Sequence, residues 1–185
     1  KILVTGGCGF IGSHTLISLS KAGYIPIVLD NLSNSSLEAL IQVENILQER
    51  IKFYNVDILD RPSLMKVFSE NYFEAVIHFA ACALVGESMK APGKYYQNNV
   101  NGGLSLLEAM REAKITRLVF SSSCATYGIP EIPGPISEAT PQNPVNPYGE
   151  TKLIFERMLR WYQEIHGFQP VIFRYFNAAG AGFGL

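Results

Sequence analysis

Tyr148-Gly-Glu-Thr-Lys152 places a phenol and an ammonium four residues apart, directly behind a helix start. Asn146 offers an N-cap side chain and Pro147 suits the first helical position, so a helix is expected from 147 to 165, with Tyr148 and Lys152 on one face. A phenol beside a cation is a proton-transferring base in waiting. A free phenol ionises near pH 10, and bringing it about three units lower takes about 4 kcal/mol of differential stabilisation of the phenolate. Lys152, the helix N-terminus and an oxidised nicotinamide bound nearby are three positive sources that would supply it. The same spacing also occurs on solvated helices that do no chemistry, so the rest of the chain decides between the two readings.

The elements that would position this pair alternate along the sequence. Short, β-branched apolar runs at 1–5, 25–29, 51–55, 75–79, 117–121 and 170–175 read as strands, with a continuous apolar character that suits burial on both faces. Helical patterns fall between them at 11–22, 36–49, 61–70, 95–113 and 147–165. Strand-helix alternation of this kind gives a doubly wound α/β fold of the Rossmann type, a parallel sheet of order 3-2-1-4-5-6. Its ligands bind beyond the carboxyl ends of the strands, where the winding reverses. The Pro-rich stretch from Ile129 to Pro147 reads as a loop.

The informative residues fall at those strand ends. Gly6, Gly9 and Gly12 follow the first strand and open the first helix, a spacing that allows a tight turn, close approach of a pyrophosphate and close helix packing. Asp30 ends the second strand, where a carboxylate would accept from an adenosine ribose, and it also suits a turn or cap. Asn31-Leu-Ser-Asn34 holds no arginine for a 2′-phosphate, which favours NAD over NADP. Asp57 after the third strand is placed either for an adenine amino group or for a turn. Phe120-Ser-Ser-Ser123 ends the fifth strand.

Composition narrows the partners. With 185 residues, 48% hydrophobic, the chain can bury one substantial core. A net charge of -1 argues against nucleic acid or anionic membrane, no apolar run is long enough to span a bilayer, and the expected location is cytoplasmic. Cys8, Cys82 and Cys124 fit neither a disulfide framework nor a zinc site, and His14, His78 and His166 lack ligand spacing, so no metal is expected.

The glycine loop, the Ser123 strand end and Tyr148-x-x-x-Lys152 together resemble the extended short-chain dehydrogenase/reductase superfamily, and within it the UDP-glucose 4-epimerase family of NAD-dependent epimerases. Asp30-Asn-Leu-Ser-Asn34, His78-Phe-Ala-Ala81, Val85-Gly-Glu-Ser88, Tyr95-Tyr-Gln-Asn-Asn-Val100 and Arg174-Tyr-Phe-Asn177 resemble that family's segments in the same order. The resemblance implies interconversion of UDP-glucose and UDP-galactose through a 4-keto intermediate with tightly bound NAD. It gives Tyr148 the sugar 4-hydroxyl proton, Ser123 the 4-oxygen, and Lys152 the nicotinamide ribose. The implied cofactor set is Gly6, Gly9, Phe10, Ile11, Gly12, Asp30, Asn31, Asp57, Ile58, Phe79, Ala80, Ala81, Asn98, Tyr148, Lys152 and Tyr175. Ser123, Tyr148 and Asn177 would touch the UDP-sugar. A homodimer through helices 95–113 and 147–165 is implied as well, although the apolar stripe from Ile154 to Ile165 equally suits ordinary core.

Two features depart from the family. Ala83 stands where many members carry a lysine, and the family continues past this chain's Leu185 into a substrate-binding lobe. Residues 1–185 are therefore expected to be an NAD-binding domain that stops before that lobe and is inactive, or nearly so, alone. A 4,6-dehydratase would need Asp-Glu where this chain has Cys124-Ala125. The remaining alternatives are a UDP-arabinose/UDP-xylose 4-epimerase, a nucleotide-sugar reductase that releases its cofactor, and a non-catalytic NAD sensor with no use for Ser123, Tyr148 and Lys152 together.

Overall fold

The computed structural model describes residues 1–130 and 134–181, which leaves out residues 131–133 of the Pro-rich loop and the last four residues. Six parallel strands form one sheet in the order β3-β2-β1-β4-β5-β6. They are β1 (Ile2–Thr5), β2 (Pro26–Asp30), β3 (Lys52–Asn55), β4 (Ala75–His78), β5 (Arg117–Ser123) and β6 (Gln169–Tyr175). The expected topology is the one observed. The winding reverses between β1 and β4, where Thr5 pairs with Leu29 on one side and His78 on the other.

Two apolar layers enclose the sheet. Helices α1 (Phe10–Lys21) and α2 (Leu37–Leu47) pack Leu16, Ile17, Leu40 and Val43 against Val4 and Val28 on one face. The other face carries Leu3, Leu29, Val76, Leu118 and Phe120, covered by α3 (Arg61–Glu70) and by two later helices. Side chains alternate across a strand, so Leu3 and Val4 necessarily serve opposite layers. Burial on both faces holds for β1 and β2 but not for the two edges. β3 is partly exposed along its length, and β6 alternates, with Val171 and Phe173 about half exposed. At β6 the described helices cover only one face.

The helix expected over 95–113 runs without a break from Pro92 to Glu112, with a π-helical middle. Two short turns, α4 (Val85–Ser88) and α5 (Pro92–Tyr95), lead into a π-helical segment, Tyr96–Gly102, before α6 (Gly103–Glu112). The glycine pair explains how closely this region packs. A Cβ on Gly102 would meet Ile58 at 2.7 Å, and one on Gly103 would meet the Phe155 ring at 2.4 Å. The widened turn buries Asn99, a placement that a 3.6-residue period does not anticipate.

The last helix, α7 (Pro147–His166), starts as expected, with Asn146 Oδ1 accepting from the Gly149 N–H at 2.8 Å and Pro147 in the first turn. It ends at Gly167, whose φ of 69° is the left-handed C-cap conformation. Phe155 and Leu159 are buried against β5 and α6, and each contributes on the order of 2 kcal/mol of burial. Most of the apolar stripe is thus core, with Ile165 exposed at its end. No helix among the described residues is long and apolar enough to cross a membrane.

Candidate active site

A crevice of about 370 Å³ opens at the carboxyl ends of the strands, over the point where the winding reverses. Its floor is the turn between β1 and α1. Gly6 sits at φ +71°, and a Cβ there would lie 2.6 Å from the Ala80 nitrogen. Gly12 brings α1 down on that turn, since a Cβ would come within 2.3 Å of the Gly6 carbonyl oxygen. At Gly9 a Cβ would meet only that same oxygen, at 3.3 Å, so this position keeps open space above the backbone.

The start of α1 differs from those of α2, α3 and α7, while α6 continues from the π-helical segment. Ser36, Asp60 and Asn146 cap α2, α3 and α7 with side-chain oxygens. Gly9 offers no cap to α1, and its first turn holds no acid. Its N–H groups and positive dipole end are left for an anion.

Asp30 forms one wall and is 5% exposed. Its Oδ1 accepts from the Leu32 N–H at 2.9 Å and the Ser35 hydroxyl at 2.8 Å, and its Oδ2 from the Cys8 N–H at 3.0 Å. Asp30 is therefore a turn residue and a crevice residue at once. With two acceptor positions on each oxygen, Oδ2 keeps one for a ribose hydroxyl. Asn31, Ser33 and Asn34 continue the wall, and among the described lining residues Lys152 is the only lysine or arginine.

The opposite wall carries the residues expected to react. Ser123, Tyr148 and Lys152 line the crevice together, with Ser121, Ser122 and Tyr175 beside them. Gly149 brings Tyr148 there, because a Cβ on it would strike the Ala125 carbonyl at 2.4 Å, so the start of α7 lies against the turn that follows Ser123. The Tyr95 ring stands edge-on to the Tyr148 ring at 6.4 Å, with its own hydroxyl tied to the Leu84 backbone and Glu87.

Lys152 is buried, reaches the Ser121 carbonyl at 2.7 Å, and lies 5.0 Å from the Phe120 ring centre and 5.7 Å from that of Tyr148. Burial pulls its ammonium down to about 8, against the raising influence of Glu156. His78 behind it is pushed down to about 3 by burial and by the Lys152 charge, and bonds Thr5 Oγ1 at 2.7 Å as a neutral ring. Tyr148 in the protein alone does not yet have the lowered phenol that the expectation ties to a bound nicotinamide. Burial raises the phenol above its ordinary value; the Ser123 hydroxyl offsets this in part and Cys124 adds to it. Lys152 points past Tyr148 to the strand end, so without further positive charge the phenol stays protonated.

Gly6, Gly9, Phe10, Ile11, Gly12, Asn31, Ile58, Phe79, Ala80, Ala81, Asn98 and Tyr175 all line the crevice as expected. Asp57 and Asn177 do not. Asp57 Oδ2 accepts from Asn31 Nδ2 at 2.8 Å and Oδ1 from the Leu59 N–H at 2.8 Å, which makes it a turn residue holding a wall residue. Asn177 is exposed between Phe176 and Ala178, which do line the crevice.

Sequence reasoning missed Gly149, Asn99 and Glu156. Asn99 joins the Cys82 backbone at 2.8 and 3.0 Å to the Thr151 hydroxyl at 3.1 Å, tying the segment that follows β4 to α7. The i, i+4, i+8 spacing of Tyr148, Lys152 and Glu156 was the available signal for the last of these.

These features fit a dinucleotide: glycine backbone and an uncapped helix for the pyrophosphate, Asp30 for a ribose, and a hydroxyl, a phenol and an ammonium at the far end. The description "NAD dependent epimerase/dehydratase family" belongs to the family model that matches residues 2–184. The UDP-glucose 4-epimerase of Bacillus subtilis is 50% identical over 181 residues, covering 97% of this chain and 53% of that protein. The crystal structure of UDP-glucose 4-epimerase from Brucella ovis in complex with NAD superposes with a TM-score of 0.90 at 49% identity, over 98% of this chain and 53% of that one. That from Bifidobacterium longum in complex with NAD+ and UDP gives 0.94 at 43% identity, over 98% and 54%. The chain spans about half the length of the relatives it matches. On its fold, its crevice and this match along nearly its whole length, the chain belongs to the NAD dependent epimerase/dehydratase family.

Proposed function

We propose that this chain is the NAD-binding, catalytic half of a UDP-glucose 4-epimerase, and that residues 1–185 form a single dinucleotide-binding domain. The observation that carries the reading is the meeting of Ser123, Tyr148 and Lys152 on the crevice wall opposite a glycine turn and an uncapped helix. The relatives from Bacillus subtilis, Brucella ovis and Bifidobacterium longum bear the epimerase name over the same span.

In this reading the glycine turn holds the pyrophosphate, and Asp30 and Asn31 hold the adenosine ribose. NAD held there would supply reversible hydride acceptance and a positive charge that favours the phenolate. Tyr148 takes the proton from the sugar 4-hydroxyl and gives it back, Ser123 fixes the 4-oxygen, and Lys152 holds the nicotinamide ribose. Cys124-Ala125 supplies no acid-base pair for eliminating water, which sets this chain apart from a dehydratase. The free cysteines accord with a reducing, cytoplasmic setting.

The test uses a protein that carries this chain together with the remaining length of its relatives. Supplied with UDP-galactose, it should form UDP-glucose with no net accumulation of NADH, faster than it interconverts UDP-arabinose and UDP-xylose. Stoichiometric NADH release would indicate a reductase instead. Preference for the pentose pair would reassign the sugar.

A further inference from the structure

Glu156 lies one turn beyond Lys152 on α7, in line with Tyr148, and its carboxylate is saturated with donors. Arg174 of β6 donates from Nε at 3.1 and 3.2 Å and from Nη2 at 2.8 Å; Gln142 donates at 3.0 Å and Ser122 through a short hydroxyl contact. Arg174 Nη1 goes on to the Tyr127 hydroxyl at 2.8 Å. Burial alone would raise Glu156, but these donors outweigh it and hold its carboxyl below the ordinary value. This buried anion therefore stays charged at neutral pH.

Ser122 connects the cluster to the chemistry. It sits between Ser121, whose carbonyl receives the Lys152 ammonium, and Ser123 of the crevice wall. Across a strand the Ser122 side chain points away from both, toward α7, so the Glu156 contact fixes a strand end that itself lines the crevice. Other titratable or charged groups in the elements around this corner are His78, Tyr95 with Glu87 behind it, Cys124, Tyr127, Tyr148, Arg174 and Tyr175. Of these His78 is neutral and Arg174 is spent on Glu156.

We propose that Glu156 is a positioning residue for the reaction: its charge, set by Arg174, holds the Lys152 ammonium in place, and its bond to Ser122 fixes the strand end that presents Ser121 and Ser123. The proposal rests on Lys152 having the nicotinamide-ribose role in the epimerase reading. It accounts for a buried charged cluster at the open β6 edge, where the crevice segment Phe176 to Ala178 begins.

The test follows the Lys152 side-chain resonance through a pH titration of this 185-residue chain, assigned by its loss in Lys152→Met. Glu156→Gln keeps the shape and removes the charge, so the Lys152 midpoint should fall by about one unit, a tenfold loss of ammonium above the midpoint. Glu156→Asp should restore most of it. Arg174→Gln leaves Glu156 less neutralised and should move the midpoint up. This opposition of sign is the signature, because a merely structural cluster would shift Lys152 the same way in both variants or not at all. Should Glu156→Gln fail to fold, Arg174→Gln and Glu156→Asp still decide: an unmoved or lowered midpoint in Arg174→Gln overturns the proposal. The titration requires no turnover, so its failure leaves the epimerase reading untouched, and failure of the epimerase assay leaves the titration result standing.

Discussion

Lys152 shows how a buried functional group is held at a cost. The folded chain keeps its ammonium down to about 8, while an unfolded lysine titrates near 10.4. Between those values the unfolded chain carries a proton that the folded one lacks, so stability rises with pH across this window, and below it the full burial cost is present. Lys152→Met should therefore stabilise the chain at neutral pH by roughly 1–3 kcal/mol, a gain that fades as pH climbs from about 8 to about 10. Thermal melts of both proteins at neutral and alkaline pH check this; a destabilised variant at neutral pH would show that the Ser121 bond outweighs the burial. The pairing of Tyr148 with Lys152 was legible because a four-residue spacing on a helix is local. The upward shift of Tyr148 was not, because it comes first from burial, with Cys124 adding to it and Ser123 opposing it, among elements brought together only by the fold.

At the scale of elements, the turn between β1 and α1 and the start of α7 do the placing. Gly9 leaves open space above the backbone, and a valine there would fill the place where a pyrophosphate must come close. Gly9→Val should abolish NAD binding by the chain in calorimetry while leaving its circular dichroism unchanged; normal binding would remove this turn from the cofactor site. The strand order, the glycine turn and the capped start of α7 could be read from the sequence because each is written in a short run of residues. The π-helical segment could not. It lies where Gly102 packs against Ile58 and Gly103 against Phe155, residues far apart in the chain. The same cause hides Gly149, whose importance is the Ala125 carbonyl beneath it. The exposure of β6 was missed because its apolar sequence looks like that of a strand covered on both faces.

For the whole molecule, the proposed function has one wall of the crevice bind and the other react, and both hang from strand ends that the double winding brings side by side. Leu104 on α6 and Trp161 and Ile165 on α7 remain exposed on the helices expected to pair. We propose a homodimer through these helices; sedimentation should give twice the monomer mass, and Trp161→Glu should return it to monomer, whereas an unchanged mass would place any interface elsewhere. The central claim is that Tyr148 carries the proton in an epimerisation that keeps its NAD. It is tested most directly by Tyr148→Phe in a protein that carries this chain and the remaining length of its relatives, measuring bound NAD and UDP-galactose turnover on the same sample. NAD content should be unchanged and turnover should fall by about a hundredfold or more; turnover equal to that of the unsubstituted protein would contradict the account.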